Sequence, residues 1–250
     1  MIRVEDLSVR IGTFSLRNVS FEVPAGQYGI LMGRTGSGKT TILESLCGLR
    51  SVSAGRIVLC GTDVTRLKPA LRGIGFVPQD GALFPTMTVR RQIGFALSVR
   101  NWKKRDIDRR VAELADLLGI GGLLDRELTG LSGGERQRIA LGRALAASPG
   151  VLCLDEPLSA LDDATRRDMY SLLKSVQQKT GVTALHITHS RTEARILGDV
   201  VFSIEDGRVR RVPESQLASQ PVETPQSNGD GAVEPEREST KTSAANAVRD

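Results

Sequence analysis

Polar and apolar side chains alternate with a period of two along the start of the chain. This pattern predicts strands at Arg3 to Val9, at Phe14-Ser15-Leu16 and at Val19 to Val23, closed by the turn Pro24-Ala25-Gly26. They form a small antiparallel layer ahead of the apolar run Tyr28 to Met32. Next come a helix over Thr40 to Leu49, a strand over Arg56 to Cys60 and a strand over Ile74 to Val77 that stops at Pro78-Gln79. Between Met87 and Ala147 the period lengthens. Ile107, Val111, Leu114 and Leu118 share one helical face with charges opposite, which predicts an inserted helical subdomain over about 87–147. Strand and helix then alternate: Val151 to Asp155, a helix with Met169, Leu172, Leu173 and Val176 inward, Val182 to Ile187, a short helix after Ser190, and Val200 to Ile204. That order predicts a mainly parallel sheet covered on both faces, with ligands at the carboxyl ends of its strands.

Composition adds bounds. With 250 residues, 40% of them hydrophobic, the chain has material for a single large core and no internal repeat. From about Pro213 large apolar residues nearly vanish among Pro, Ser, Glu, Gln and Thr, so 211–250 is expected to be a disordered tail behind a body of 1–210. The net charge of +5 is uneven. Four basic and seven acidic residues lie from Arg211 onward, which leaves 30 basic against 22 acidic in the body, a balance that suits phosphates and anionic surfaces. Met1 to Asp6 lacks the charged-then-apolar pattern of a signal, and no apolar run nears the roughly 18 residues of a membrane span. A cytosolic chain that does not itself cross a membrane is expected. Cys47, Cys60 and Cys153 are odd in number and set among apolar or small neighbours, so all three are expected to be buried free thiols.

The chemistry begins at Gly33-Arg34-Thr35-Gly36-Ser37-Gly38-Lys39-Thr40, which spells G-x-x-x-x-G-K-T between a strand and a helix. Accident would supply this pattern in about one chain of this length in a hundred. In such a loop backbone N–H groups converge on phosphate oxygens, the helix offers its positive end, Lys39 reaches the β- and γ-phosphates and the Thr40 hydroxyl faces Mg²⁺. Val151-Leu152-Cys153-Leu154-Asp155-Glu156 brings two carboxylates to a strand's end. Alone, these acids read equally well as the first residues of a helix; beside the phosphate loop they read as Asp155 holding Mg²⁺ and Glu156 deprotonating the attacking water. Leu131-Ser132-Gly133-Gly134-Glu135 opens another helix and is a second anion-binding N-terminus. Two such sites for one nucleotide imply a twofold dimer in which each loop closes over the nucleotide of the other chain.

Gly33 to Thr40, Gln79, Leu131 to Glu135, Leu154-Asp155-Glu156, Ser159-Ala160-Leu161-Asp162 and His189, in this order, resemble the ATP-binding cassette ATPases of ABC transporters. The resemblance covers roughly residues 1 to 210. It implies an α/β fold with a P-loop NTPase core, a mainly parallel sheet, an N-terminal antiparallel β layer and the inserted helical subdomain. It further implies that ATP is held by Gly33 to Thr40 with Thr41, and from the second cassette by Ser132, Gly133, Gly134, Glu135 and the D-loop Asp162. Gln79 is then the Q-loop glutamine that senses Mg²⁺ together with Thr40 and Asp155, and His189 is the switch histidine at the γ-phosphate. His186, inside an apolar run, reads as a packed core histidine. Arg10 and Ile11 stand where the family places an adenine-stacking aromatic, which leaves Phe14 or aliphatic surface for the base.

Phe76-Val77-Pro78-Gln79-Asp80 with Ala82 to Val89, and Ile187-Thr188-His189-Ser190 with Glu193-Ala194, are similar to importers of molybdate or tungstate, sulfate, iron and polyamines. The resemblance favours an oxyanion of the molybdate type, a membrane permease as partner, a solute-binding protein acting indirectly, and a peripheral place on the cytoplasmic face of the inner membrane. No nucleic acid is expected. The alternative, a non-transport ABC ATPase acting on nucleic acid or ribosomes, requires a coiled coil between Lys39 and Ser132 or a second cassette, and neither is present in the sequence.

Overall fold

The computed structural model describes residues 1–218. β1 (Ile2–Ile11) and β2 (Phe14–Val23) form an antiparallel hairpin, β4 (Ala54–Leu59) pairs with the other edge of β1, and β5 (Thr62–Asp63) pairs with β4. The strand order is β2-β1-β4-β5. The second sheet runs β10-β9-β3-β8-β7-β6, from β3 (Tyr28–Met32), β6 (Ile74–Val77), β7 (Val151–Asp155), β8 (Thr183–Thr188), β9 (Val200–Glu205) and β10 (Arg208–Arg211). All its pairs are parallel except β9 with β10.

Why the central strands read as continuous apolar runs is visible in where their side chains go. Leu31, Val151, Cys153, Leu185 and Ile187 face one core, shared with β1, β2, β4 and helix α1 (Lys39–Cys47). Ile30, Leu152, Leu154 and Ala184, at the alternating positions, face the other core. That core is shared with α2 (Val89–Val99), α3 (Lys104–Leu118), α4 (Gly133–Leu145), α5 (Asp163–Thr180) and α6 (Arg191–Leu197). A strand buried on both faces has no polar position to mark its period.

The structure departs from expectation in three places. First, β2 is one strand: Asp6 and Asn18 take left-handed φ of 47° and 53° at the register shifts, and Ser20 and Ser8 hydroxyls accept their N–H groups at 2.8 and 3.2 Å. The irregularity kinks the hairpin without ending it. Second, Cys60 is exposed, because it turns the chain between β4 and β5 with φ 49°, whereas Cys47 and Cys153 are buried. Third, order continues past residue 211. The Val212 N–H donates to Val201 O at 2.8 Å, and α7 (Glu214–Ala218) follows with Val212 and Leu217 half-buried against the core. The rest of the expected tail lies outside the described residues.

Candidate functional site

The phosphate loop leaves the carboxyl end of β3 and enters α1 through Gly38, whose φ of 102° only glycine adopts cheaply. A Cβ there would meet Phe14 and Leu16 side chains at 2.9 Å, so close packing excludes larger residues as well. Lys39 is nearly buried, and its Nζ donates to Gly33 O at 2.9 Å and Arg34 O at 3.0 Å. Its charge is therefore held by the loop it serves. The Ser37 hydroxyl is buried against Gly33 of its own loop and finds no hydrogen-bond partner among the described residues. Gly33 to Ser37 line a cavity of about 1000 Å³ together with Phe14, His189, Ile204 to Gly207, and Gln216 and Leu217 of α7.

β7 delivers its two acids beside this loop. Asp155 Oδ1 accepts from Thr40 Oγ1 at 3.4 Å, and burial raises the Asp155 pKa against the opposing pull of that hydrogen bond. Glu156 ends the strand with φ 44°, an uncommon conformation for a residue with a side chain, and its N–H is tied to Ile187 O at 3.0 Å. Its Oε2 lies 3.4 Å from Nδ1 of the mostly exposed His189. Thr40, Asp155, Glu156 and His189 are thus assembled by three neighbouring parallel strands, β3, β8 and β7, and by the start of α1.

Gln79, Gly133, Ala160 and Leu161 line a separate cavity of about 490 Å³ that no phosphate-loop residue reaches. Among the described residues no hydrogen bond joins Gln79 to Thr40 or Asp155, and Gln79 is exposed. Ser132 and Glu135 form a reciprocal cap at the start of α4. The Ser132 Oγ accepts from Glu135 N at 3.2 Å, and Glu135 Oε2 accepts from Ser132 N at 2.7 Å, which lowers the Glu135 pKa. The first-turn N–H groups of Gly133 and Gly134 have no acceptor within the helix. Asp162 caps α5, its Oδ1 accepting from Ala164 N and Thr165 N at 3.1 and 3.0 Å. Gly134 must be glycine, because a Cβ would sit 2.5 Å from Thr165 Cγ2.

Two residues that sequence reasoning did not single out hold the segment after Gln79. Gln92 of α2 is fully buried; its Oε1 accepts from Phe84 N at 3.2 Å and its Nε2 donates to Phe84 O. Arg143 of α4 donates to Ala82 O and Gly81 O and lies 5.4 Å over the Phe84 ring. The only hint in the sequence is a glutamine at an inward position of an amphipathic helix.

The comparisons with known proteins now fall on a described site. The ABC transporter family model matches residues 16–159. The molybdate/tungstate import ATP-binding protein of Thermococcus kodakarensis is 44% identical over 223 residues, covering 89% of this chain and 68% of that protein. Its Archaeoglobus fulgidus counterpart is 48% identical over 200 residues, covering 80% and 82%. The sulfate/thiosulfate import ATP-binding protein of Nocardia farcinica is 42% identical over 213 residues, covering 85% and 64%. This chain spans from 61% to 82% of the length of the molybdate/tungstate relatives. Among solved structures, a dimeric ATP-binding cassette in a post-hydrolysis state, bound to ADP and Pi, is similar at TM-score 0.75 and 26% identity, over 86% of this chain and 99% of that one. With a phosphate loop, a paired-acid strand end and a capped signature helix assembled on this sheet, and with these matches over most of its length, the chain belongs to the ABC transporter family.

Proposed function

We propose that this chain is the ATP-hydrolysing subunit of an importer for a small oxyanion of the molybdate or tungstate type, working as a dimer of cassettes beneath a membrane permease. The observation that carries the reading is the cluster of Lys39, Thr40, Asp155, Glu156 and His189 around one loop with a buried, unpartnered Ser37 hydroxyl. Import is favoured over action on nucleic acid by the names of the relatives at 42% to 48% identity. No helix among the described residues is long and apolar enough to cross a membrane, so transport needs a separate channel.

Magnesium fits the site. Thr40 Oγ1 and Asp155 Oδ1 are hard oxygen donors on one side of the loop, and among the described residues no cluster of three acidic, His or Cys side chains competes for a metal. When bound, Mg²⁺ neutralises charge on the β- and γ-phosphates. The chain's own residues do the rest. Lys39 exchanges its two loop carbonyls for phosphate oxygens, the loop N–H groups hold the β-phosphate, and Glu156 takes a proton from the attacking water. His189 sits 3.4 Å from Glu156, where its ring orients that carboxylate and meets the γ-phosphate. Gln79, Ser132 to Glu135 and Asp162 belong to the faces that meet the permease and the second cassette. The nucleotide site then has two halves, and the half with Ser132 comes from the partner.

The direct test is phosphate release from purified protein with Mg²⁺ and ATP. Lys39→Ala should abolish ATP binding and hydrolysis together. Unchanged phosphate release in Lys39→Ala would overturn the reading.

A further inference from the structure

A buried charge cluster lies behind the site, where the reading above gives it no task. His186 of β8 is fully buried. Its Nδ1 shares a hydrogen bond with the Tyr28 hydroxyl at 3.0 Å, and its Nε2 lies 3.2 Å from Glu193 Oε2, an ion-pair distance, without a well-aligned hydrogen bond among the described residues. Glu193 sits in the first turn of α6 and is 4% exposed. Burying a carboxylate this deeply is costly unless its partners are kept.

One of those partners, Thr188, begins the switch loop. The Thr188 hydroxyl bonds to the Glu193 carboxylate and accepts from Ser190 N at 3.0 Å, while the Ser190 Oγ accepts from Glu193 N at 3.3 Å. His189 is the residue bracketed by this ring of bonds. From α5, Arg166 and Tyr170 face the same carboxylate. Burial pushes the Glu193 pKa up, but the nearby His186 ring, the Thr188 hydroxyl and the Arg166 guanidinium outweigh it, so the pKa is lowered.

We infer that Glu193 and His186 are positioning residues for catalysis, fixing the His189 switch loop against β8 so that its ring stands at Glu156 and the γ-phosphate. The inference rests on the ATPase reading above. Helix α6 alone would not place the loop, because it is one short element whose first turn is anchored through this carboxylate. Removing it takes the carboxylate away from the Thr188 hydroxyl and from His186 Nε2, 3.2 Å away, and leaves the backbone cap at Ser190 as the remaining tie between the loop and α6. The phosphate loop leads into α1, which packs on the opposite face of the sheet from α6, so it should keep its geometry.

Three variants test this in steady-state ATP hydrolysis with Mg²⁺, each with its melting temperature measured. Glu193→Ala should lower kcat by about tenfold to a hundredfold, as expected for a displaced catalytic group, with KM for ATP changed by less than about twofold. Glu193→Gln keeps the acceptor oxygen toward Thr188 and should recover most of the lost kcat. Lys174→Ala is the control for general loosening, since it removes a pair with Asp199 (2.9 Å) beside Tyr28 on the same side of the sheet without touching the switch loop. It should lower the melting temperature and leave kcat near that of the original protein. Should Glu193→Ala not fold, Glu193→Asp, which withdraws the carboxylate by one methylene, takes its place with the same expected loss of kcat. A wild-type kcat in Glu193→Ala, a fall no larger than that of Lys174→Ala, or a Gln variant no better than Ala would each overturn the inference. Those outcomes leave the ATPase reading intact as long as the unmodified protein hydrolyses ATP and Lys39→Ala does not.

Discussion

At the scale of single residues, the phosphate loop and the Asp155-Glu156 pair are legible in the sequence because their chemistry is local. A glycine that must take φ 102°, a lysine six residues from the carbonyl it binds and two acids at a strand's end all follow from adjacency. Residue roles that depend on distant partners were out of reach. His186 reads correctly as a core histidine, yet its tie to Tyr28, far away in the chain, comes only from the pairing of β3 with β8. Glu135 stands in the S-x-x-E pattern of a helix cap, and in the folded chain its carboxylate occupies that cap. Whether it also meets nucleotide depends on the second cassette. Phe14 supplies a prediction at this scale. It lines the cavity beside the phosphate loop and packs against Gly38, where no aromatic stands at Arg10 or Ile11. Phe14→Ala should weaken ATP binding by about 0.5 to 1.5 kcal/mol, the worth of an aromatic contact, measured by calorimetry. No change would leave the base to aliphatic surface.

Among elements, those buried on both faces or strongly amphipathic were the easiest to read. β3, β7 and β8 appear as short apolar runs with punctuation, and α3 shows its 3.6-residue stripe directly, with Val111, Leu114 and Leu118 all buried and Ile107 packed beside them. Edge elements gave weaker signals: β10 and α7 carry mostly exposed polar residues and are held by their neighbours, as the Val212 to Val201 hydrogen bond illustrates. The segment after Gln79 has no regular structure, and its shape is set by Gln92 and Arg143 from two helices. Gln92→Leu keeps volume but leaves Phe84 N–H and C=O without those partners, a cost of about 1 to 3 kcal/mol. Hydrogen exchange should therefore rise over residues 81–88 and stay unchanged over 33–40, with ATP affinity preserved. Equal exchange in the two proteins would show that Arg143 alone holds the segment. On the proposed permease-facing side, the same variant should weaken coupling between hydrolysis and transport.

For the whole molecule, the informative fact is a separation. In one chain, Gly133 of the signature loop lines a different cavity from the phosphate loop, so the two loops that family resemblance assigns to one nucleotide share no cavity. In the proposed dimer a second chain related by a twofold axis would bring them together, using the same surface on both copies. On the proposed reading catalysis and assembly are one event, with Glu156 of one chain and Ser132 of the other acting on the same ATP. The measurement that tests this most directly is light scattering of Glu156→Gln with Mg²⁺ and ATP, alone and combined with Ser132→Arg. The Gln side chain keeps size and reach but accepts a proton poorly, so hydrolysis should fall by about 10² to 10⁴ while ATP binding persists. Unconsumed ATP should draw the single variant into a dimer well above its dissociation constant, and the bulky charge of Ser132→Arg should return it to a monomer that still binds ATP. A Glu156→Gln protein that stays monomeric at high concentration and hydrolyses ATP at the original rate would contradict both the base and the shared site.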